Sequence, residues 1–296
     1  MRGTVAHPVP SRAEVRAASE DTLRRALAEL VGVGRERLFL THGATEAAAL
    51  TLQFVSRRSR SGARRCRVAF PEYPPLWGIA RSAGFRLVAD RRPADLAIVS
   101  QPQNPTGERW SAERLAGWAE GARSIVVDET FREFTDAPSI ARTGRRGLWT
   151  TGSFTKVYGA DDLRVGFVVV PPAESTSFAR FHGLVTDEIA PYSVAGALAT
   201  LARRDRILGT VRAIFERNRE TWQRAMPGRP TLWAPLAFDD PVAPDGDRFS
   251  RRCLRSSVLV CPGSFFGRRS GVRVCLTRRS FPADFAAYLR VRAHAN

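Results

Sequence analysis

One residue stands apart by its chemistry. Lys and Arg together number 46 in this sequence of 296 residues, and Lys156 is the single lysine. Arginine replaces lysine for charge and for hydrogen bonding, but its guanidinium stays protonated and forms no Schiff base. A lysine amine, once deprotonated, attacks carbonyl carbon. The retention of lysine at this position alone suggests covalent amine chemistry at Lys156. The competing reading is one surface lysine left by chance, and the neighbouring residues decide between the two.

Lys156 follows Ser153-Phe154-Thr155 at the end of an apolar run, and Arg164 lies just before the next run. A phosphate could use the Ser153 hydroxyl and a bidentate Arg164. Thr41-His42-Gly43-Ala44-Thr45-Glu46-Ala47 leaves one apolar run and opens a helical stretch. Small residues there let backbone N–H groups approach an anion at a helix N-terminus; an ordinary strand–turn–helix reads the same way. Asn104-Pro105-Thr106-Gly107 follows the run 95–100 and carries one of only three asparagines, the others being Asn218 and Asn296. The same four residues are ordinary turn chemistry. Asp128 closes the run 124–127. A carboxylate at a buried strand end costs desolvation unless a positive group meets it. A protonated pyridine nitrogen is one such group; capping of the following helix is the plain alternative. Arg273, at the head of Val272-Arg273-Val274, suits a carboxylate. In so arginine-rich a chain, that last inference has little force alone.

These residues share a placement, because each falls where a strand-like run ends or begins. Residues 19–31 read as an amphipathic helix capped by Ser19. Apolar runs follow at 38–41, 66–70, 85–89, 95–100, 124–128, 148–154 and 165–170, with helical stretches such as 44–55 and 111–121 between most of them. Strands of this kind alternating with helices indicate an α/β sheet, mostly parallel and covered by helices on both faces. In such sheets ligands bind at the carboxyl ends of the strands. After Pro171-Pro172 the character shifts: 190–225 reads as helices, 239–247 as a loop, 257–261 and 272–276 as strands, and 282–292 as a closing helix. This predicts a short segment 1–18 ahead of the first helix, a large α/β domain at 19–205, and a smaller α+β domain at 206–296.

Taken together and in this order, the motifs resemble the class I and II aminotransferases, which are fold-type I enzymes dependent on pyridoxal 5'-phosphate (PLP). The residues carrying the resemblance are Gly43-Ala44-Thr45-Glu46-Ala47, Pro71-Glu72-Tyr73, Asn104 to Gly107, Val127-Asp128-Glu129, Ser153 to Gly159, Leu163-Arg164 with Gly166, and Val272-Arg273-Val274. Several spaced motifs in family order are far more specific than one. The resemblance runs from about residue 19 to the C-terminus. It implies that Lys156 carries PLP as a Schiff base and serves as general acid and base. It implies further that Asp128 pairs with the pyridine nitrogen, Asn104 bonds the ring oxygen and Tyr73 stacks on the ring. Ala44, Thr45, Ser153 and Arg164 form the phosphate cup, and Arg273, with Asn104, meets the substrate carboxylate. The implied assembly is a homodimer. Phe131 stands three residues after Asp128, where many relatives have tyrosine. Phenylalanine at this place also occurs in proteins resembling threonine-phosphate decarboxylase. The covering arm at the N-terminus is short, and the tyrosine that precedes the first helix in relatives is missing. The expected function is amino-group transfer between an α-amino acid, or an amino-acid-like phosphate, and a keto acid, as in proteins resembling histidinol-phosphate aminotransferase. The alternatives are a PLP lyase and a PLP-binding protein without turnover. Some relatives are regulators with an attached DNA-binding domain, and no such domain is expected here.

Composition bounds the rest. The formal charge is +17. An arginine cluster at 57, 58, 60, 64, 65 and 67 lacks interleaved aromatics and reads as a solvated basic face rather than a nucleic-acid site. Of four cysteines, Cys66 and Cys275 read as buried strand residues, and neither a disulfide framework nor a metal site is expected. No run reaches the roughly 20 apolar residues of a membrane span, and the first residues do not read as a signal peptide. A cytoplasmic protein is the expectation.

Overall fold

The computed structural model describes residues 8–59, 64–89 and 93–294. Arg60 and the first seven residues of the segment 1–18 therefore lie outside the described residues. Among the described residues, seven strands form one sheet: β1 (Leu38–Thr41), β2 (Arg65–Val68), β3 (Arg86–Val88), β4 (Ala94–Ser100), β5 (Ala122–Asp128), β6 (Leu148–Ser153) and β7 (Gly166–Val169). Their order is β1-β7-β6-β5-β4-β2-β3. All neighbours are parallel except β7, which runs antiparallel to both β1 and β6.

Helices cover both faces. They are α1 (Arg12–Ala17), α2 (Glu20–Val31), α3 (Ala44–Arg58), α4 (Pro74–Ser82), α5 (Ala112–Trp118), α6 (Ser175–Val185), α7 (Pro191–Ala202) and α8 (Arg204–Ala225). Every residue of β4 is buried, as an apolar run without alternation requires. Leu96 and Ile98 pack toward the cluster holding α3, α4 and α6, while Ala97 and Val99 face Leu115 of α5. Phe54 of α3 packs on Trp149 of β6 with ring centroids 5.5 Å apart. On α2, Leu23, Leu27 and Val31 recur at helical spacing and are buried, and the Ser19 hydroxyl accepts from the Thr22 N–H.

The rest of the chain builds a second, three-stranded antiparallel sheet, β8-β10-β9, from β8 (Leu236–Asp239), β9 (Cys261–Pro262) and β10 (Val272–Cys275). Two further helices, α9 (Gly246–Arg255) and α10 (Phe281–Ala293), pack against it. Among the described residues, no helix is long and apolar enough to cross a membrane.

Several expectations need correction. Helix α1 precedes 19–31, started by a capping box in which Ser11 and Glu14 satisfy each other's backbone N–H. The run 257–261 is not a strand before Cys261. Ser257 takes a left-handed φ of 58°, and the Val258 N–H closes the end of α9 on the Cys253 carbonyl, so these donors serve a helix exit rather than a ladder. Nor is 239–247 a simple loop: Asp239 ends β8, and Asp245 caps α9 by accepting from the Arg248 N–H. Arg67 is not solvated. It is buried, with Nη1 donating to the carbonyls of Trp118, the last residue of α5, and Glu120 just beyond it. Cys66 is buried, but Cys275 is exposed at the end of β10.

Candidate active site

The carboxyl ends of β4, β5 and β6 open on a cleft of about 450 Å³ bordered by the second sheet. Its walls include Ala44, Thr45, Tyr73, Asn104, Asp128, Lys156, Arg164 and Arg273. These residues are far apart in sequence, and the parallel strands bring them together because their ends stand side by side. Ser153 is not on the wall. Its hydroxyl bonds the Thr155 hydroxyl at 2.7 Å and accepts from the Thr155 N–H at 3.0 Å, and Thr155 lines the cleft in its place.

Lys156 sits on the connection between the antiparallel pair β6 and β7. Phe154, Val157 and Tyr158 bury their side chains beneath it, and the Phe154 N–H bonds the Val165 carbonyl at 3.1 Å. The Tyr158 hydroxyl donates to Glu133 at 2.7 Å, a carboxylate also held by Arg204. The loop is thus anchored by packing while Lys156 itself stays exposed to the cleft.

Asp128 is buried at the end of β5. Three donors converge on a single oxygen, Oδ1: the Thr130 N–H at 3.0 Å, the Thr130 hydroxyl at 2.6 Å and the Thr151 hydroxyl at 3.2 Å. None of these bonds reaches Oδ2. Burial pushes the Asp128 carboxyl upward, opposed by those hydrogen bonds and by the Lys156 ammonium. A cationic group in the cleft would relieve that penalty. Asp128 is not a helix cap, for the short helix that follows begins at Arg132 without a side-chain cap.

Across the cleft, Arg273 of β10 donates from Nη1 to Asn104 Oδ1 at 3.0 Å and from Nη2 to the Cys261 sulfur at 3.2 Å. Its guanidinium also lies 4.9 Å from the centre of the Phe266 ring, and its Nε is buried without a partner. With Oδ1 turned to Arg273, the amide NH₂ of Asn104 is left for the cleft. Asn104 also belongs to a tight turn, in which the Gly107 N–H bonds the Gln103 carbonyl at 2.7 Å. Tyr73 precedes α4, and burial and Asp128 push its phenol upward, opposed by a hydrogen bond with Thr45 and then by Arg273 and Arg164.

The corner suited to an anion is the start of α3. Gly43 occupies the cap position at φ 91° and offers no side chain to the first-turn N–H groups. Glu46 instead takes the N–H of His42 at 2.6 Å, one residue earlier, which leaves the donors of Ala44 and Thr45 open. Arg164 closes over this end, its Nη2 donating to the His42 carbonyl at 3.3 Å and its Nη1 to the Asp161 carbonyl at 3.2 Å. A Cβ at Gly43 would stand 2.8 Å from Arg164 Nη2, and one at Gly166 only 2.4 Å from the Gly43 carbonyl carbon. Both glycines are required for this closeness. One amine, one partly unengaged carboxylate and a cationic helix end thus suit a carbonyl-bearing heteroaromatic phosphate.

A family model for aminotransferases of class I and II matches residues 15–280. The chain belongs to that family. Among curated proteins, this member of the family is 28% identical over 190 residues to the histidinol-phosphate aminotransferase of Natronomonas pharaonis, covering 62% of this chain and 52% of that one. The chain thus spans about half the length of the first curated relatives it matches. Among solved structures, a mutant of the Thermus thermophilus aspartate aminotransferase superposes with a TM-score of 0.78 at 21% identity, covering 98% of this chain and 89% of that one. The L-threonine-O-3-phosphate decarboxylase of Porphyromonas gingivalis superposes with a TM-score of 0.72 at 18% identity, covering 98% and 97%. These structures show the shared fold-type I architecture.

Sequence reasoning missed several residues of this cleft. Thr130 and Thr151 hold Asp128, and the first could have been seen in the Asp128-x-Thr130 spacing, which favours a local side-chain turn. Thr155 lines the cleft beside Lys156, while Leu236, Cys275 and Thr277 reach the wall through the packing of the two sheets.

Proposed function

We propose that this chain is a PLP-dependent aminotransferase, moving an amino group between an α-amino acid, or an amino-acid-like phosphate, and a keto acid. The observation that carries the reading is the meeting of the sole lysine with Asp128 in one cleft, beside the uncapped start of α3 and Arg164. When bound, PLP supplies a carbonyl for the lysine amine and an electron sink for charge developing at the substrate Cα. Ala44, Thr45 and Arg164 would hold its phosphate, with Ser153 acting through Thr155. Asp128 Oδ2 would meet the pyridine nitrogen, Tyr73 would flank the ring, and the Asn104 amide would donate to the ring oxygen. Arg273 presents a preset fork to the substrate α-carboxylate. Lys156 Nζ moves the proton at the substrate Cα.

The test is chemical. Borohydride reduction of the holoprotein followed by trypsin is expected to label one peptide, 147–164, which holds Lys156. Label elsewhere would sink the assignment. A keto-acid acceptor screen then reads transamination as acceptor consumed. Phe131 on the cleft wall favours a second reading, a PLP lyase. That reading requires carbon dioxide release without acceptor consumption. We further propose a homodimer, for which the exposed Leu184, Tyr192 and Leu259 offer apolar contact surface. A fully active monomer in sedimentation would exclude it.

A further inference from the structure

Glu72 is fully buried and lies behind the cleft rather than on its wall. Its carboxylate accepts three hydrogen bonds: the Tyr73 N–H and the Ser100 hydroxyl on Oε1, at 2.7 and 2.6 Å, and the Ser100 N–H on Oε2, at 2.8 Å. The Ser100 hydroxyl, having donated to Glu72, accepts the Asn104 N–H at 2.8 Å. Ser100 is also the register partner of Asp128 across β4 and β5. One carboxylate therefore reaches the backbone of Tyr73 directly, that of Asn104 through one hydroxyl, and the strand position beside Asp128.

Stability alone does not account for a carboxylate here. Among the described residues, the groups acting on Glu72 are Ser100, Tyr73 and the Asp128 carboxylate, and no cation is among them. Burying a carboxylate without a cation is costly, and burial pushes this one up to about 8, opposed by its three donors. A neutral side chain would pack here more cheaply. Ionised, above that value, the side chain supplies acceptors only; below it the acid carries one O–H of its own. Each of its oxygens meets an N–H or an O–H, and an amide in its place would set its NH₂ against one of those donors.

We propose that Glu72 is a positioning residue of the candidate active site, setting Asn104 through Ser100 and fixing the backbone of Tyr73. The inference rests on the cofactor reading of the cleft. The Asn104 amide would donate to the ring oxygen and favour the deprotonated chromophore of bound PLP. Loosening Asn104 therefore raises the pH midpoint of that chromophore.

The experiment compares wild-type holoprotein with Glu72→Gln and Ser100→Ala. Read out are the pH titration of the bound cofactor's absorbance, its visible circular dichroism, and kcat with KM. Both variants are expected to raise the midpoint by about half a unit or more, to weaken the visible dichroism, and to lower kcat about tenfold, equivalent to about 1.4 kcal/mol. Their double variant should show little further change, because both cut one chain of hydrogen bonds. A wild-type midpoint with wild-type kcat in Ser100→Ala and Glu72→Gln would overturn the inference. So would a lowered melting temperature with no spectroscopic change, the result of a purely structural role. Should Glu72→Gln fail to fold, Ser100→Ala decides by the same criteria. Failure of the wild type itself to form the chromophore at Lys156 would strike the cofactor reading instead.

Discussion

Replacing Asp128 by Asn should have opposite effects on the cofactor-free and the loaded protein. The three donors from Thr130 and Thr151 all meet Oδ1, so an amide oxygen in that place keeps them while NH₂ replaces Oδ2. The substitution removes the charge and little else. In the cofactor-free protein, burial raises the carboxyl pKa in the folded state. Between the ordinary carboxylate value and that raised value, the folded chain holds a proton the unfolded chain has lost, so stability falls as pH rises through the window. Above the window the deficit stays. Asp128→Asn lacks this slope and is expected to melt at a higher temperature than wild type at neutral pH. The loaded protein responds in the other direction, since the cationic ring nitrogen loses its buried partner. Removing one member of a buried ion pair costs about 3–5 kcal/mol. At about 1.4 kcal/mol per factor of ten, the amino-acid half-reaction should slow about 10²- to 10⁴-fold. The assays are calorimetry of the cofactor-free pair across pH and single-turnover absorbance of the loaded pair. A variant that melts lower without cofactor and keeps its half-reaction rate within about threefold would refute the argument, making Asp128 a structural residue only.

Two other substitutions test the cleft. Phe131 is half-buried on its wall. In Phe131→Tyr a new phenol would donate to the ring oxygen; such a bond is worth roughly 1.5–3 kcal/mol, and Asn104 shares the acceptor, so the chromophore midpoint should fall by about one unit. An equal or higher midpoint would make Phe131 a packing residue and remove the support for the lyase reading. Gly107 holds φ 70° with its Cβ position 2.0 Å from the Leu236 carbonyl oxygen, so Gly107→Ala should lower stability by about 3 kcal/mol and loosen the seam between the sheets. A denaturant titration showing a loss below about 1 kcal/mol would contradict that closeness.

The sequence by itself determined the family and most of the frame. Continuous apolar runs such as β4 and β5 are legible because strands buried on both faces need no alternation, and their burial does not depend on which neighbour they pair with. Lys156, Asp128, Asn104 and Arg164 stood out because their types and their places at strand ends are local properties. Tertiary structure alone decided which of these side chains share a wall. Ser153 turned to Thr155 and left the cleft, a choice set by the packing of the 154–165 connection. Arg67, one arginine in a basic cluster, proved buried because the carbonyls at the end of α5 lie within its reach. The start of the run 257–261 became a helix exit because α9 ends there and claims its donors. Glu72 entered the sequence only as the middle of Pro71-Glu72-Tyr73, without a role of its own, and its partner Ser100 lies 28 residues away at the end of β4. Hydrogen-bond partners of buried polar groups are fixed by contacts between residues distant in the chain, and local periodicity carries no record of them.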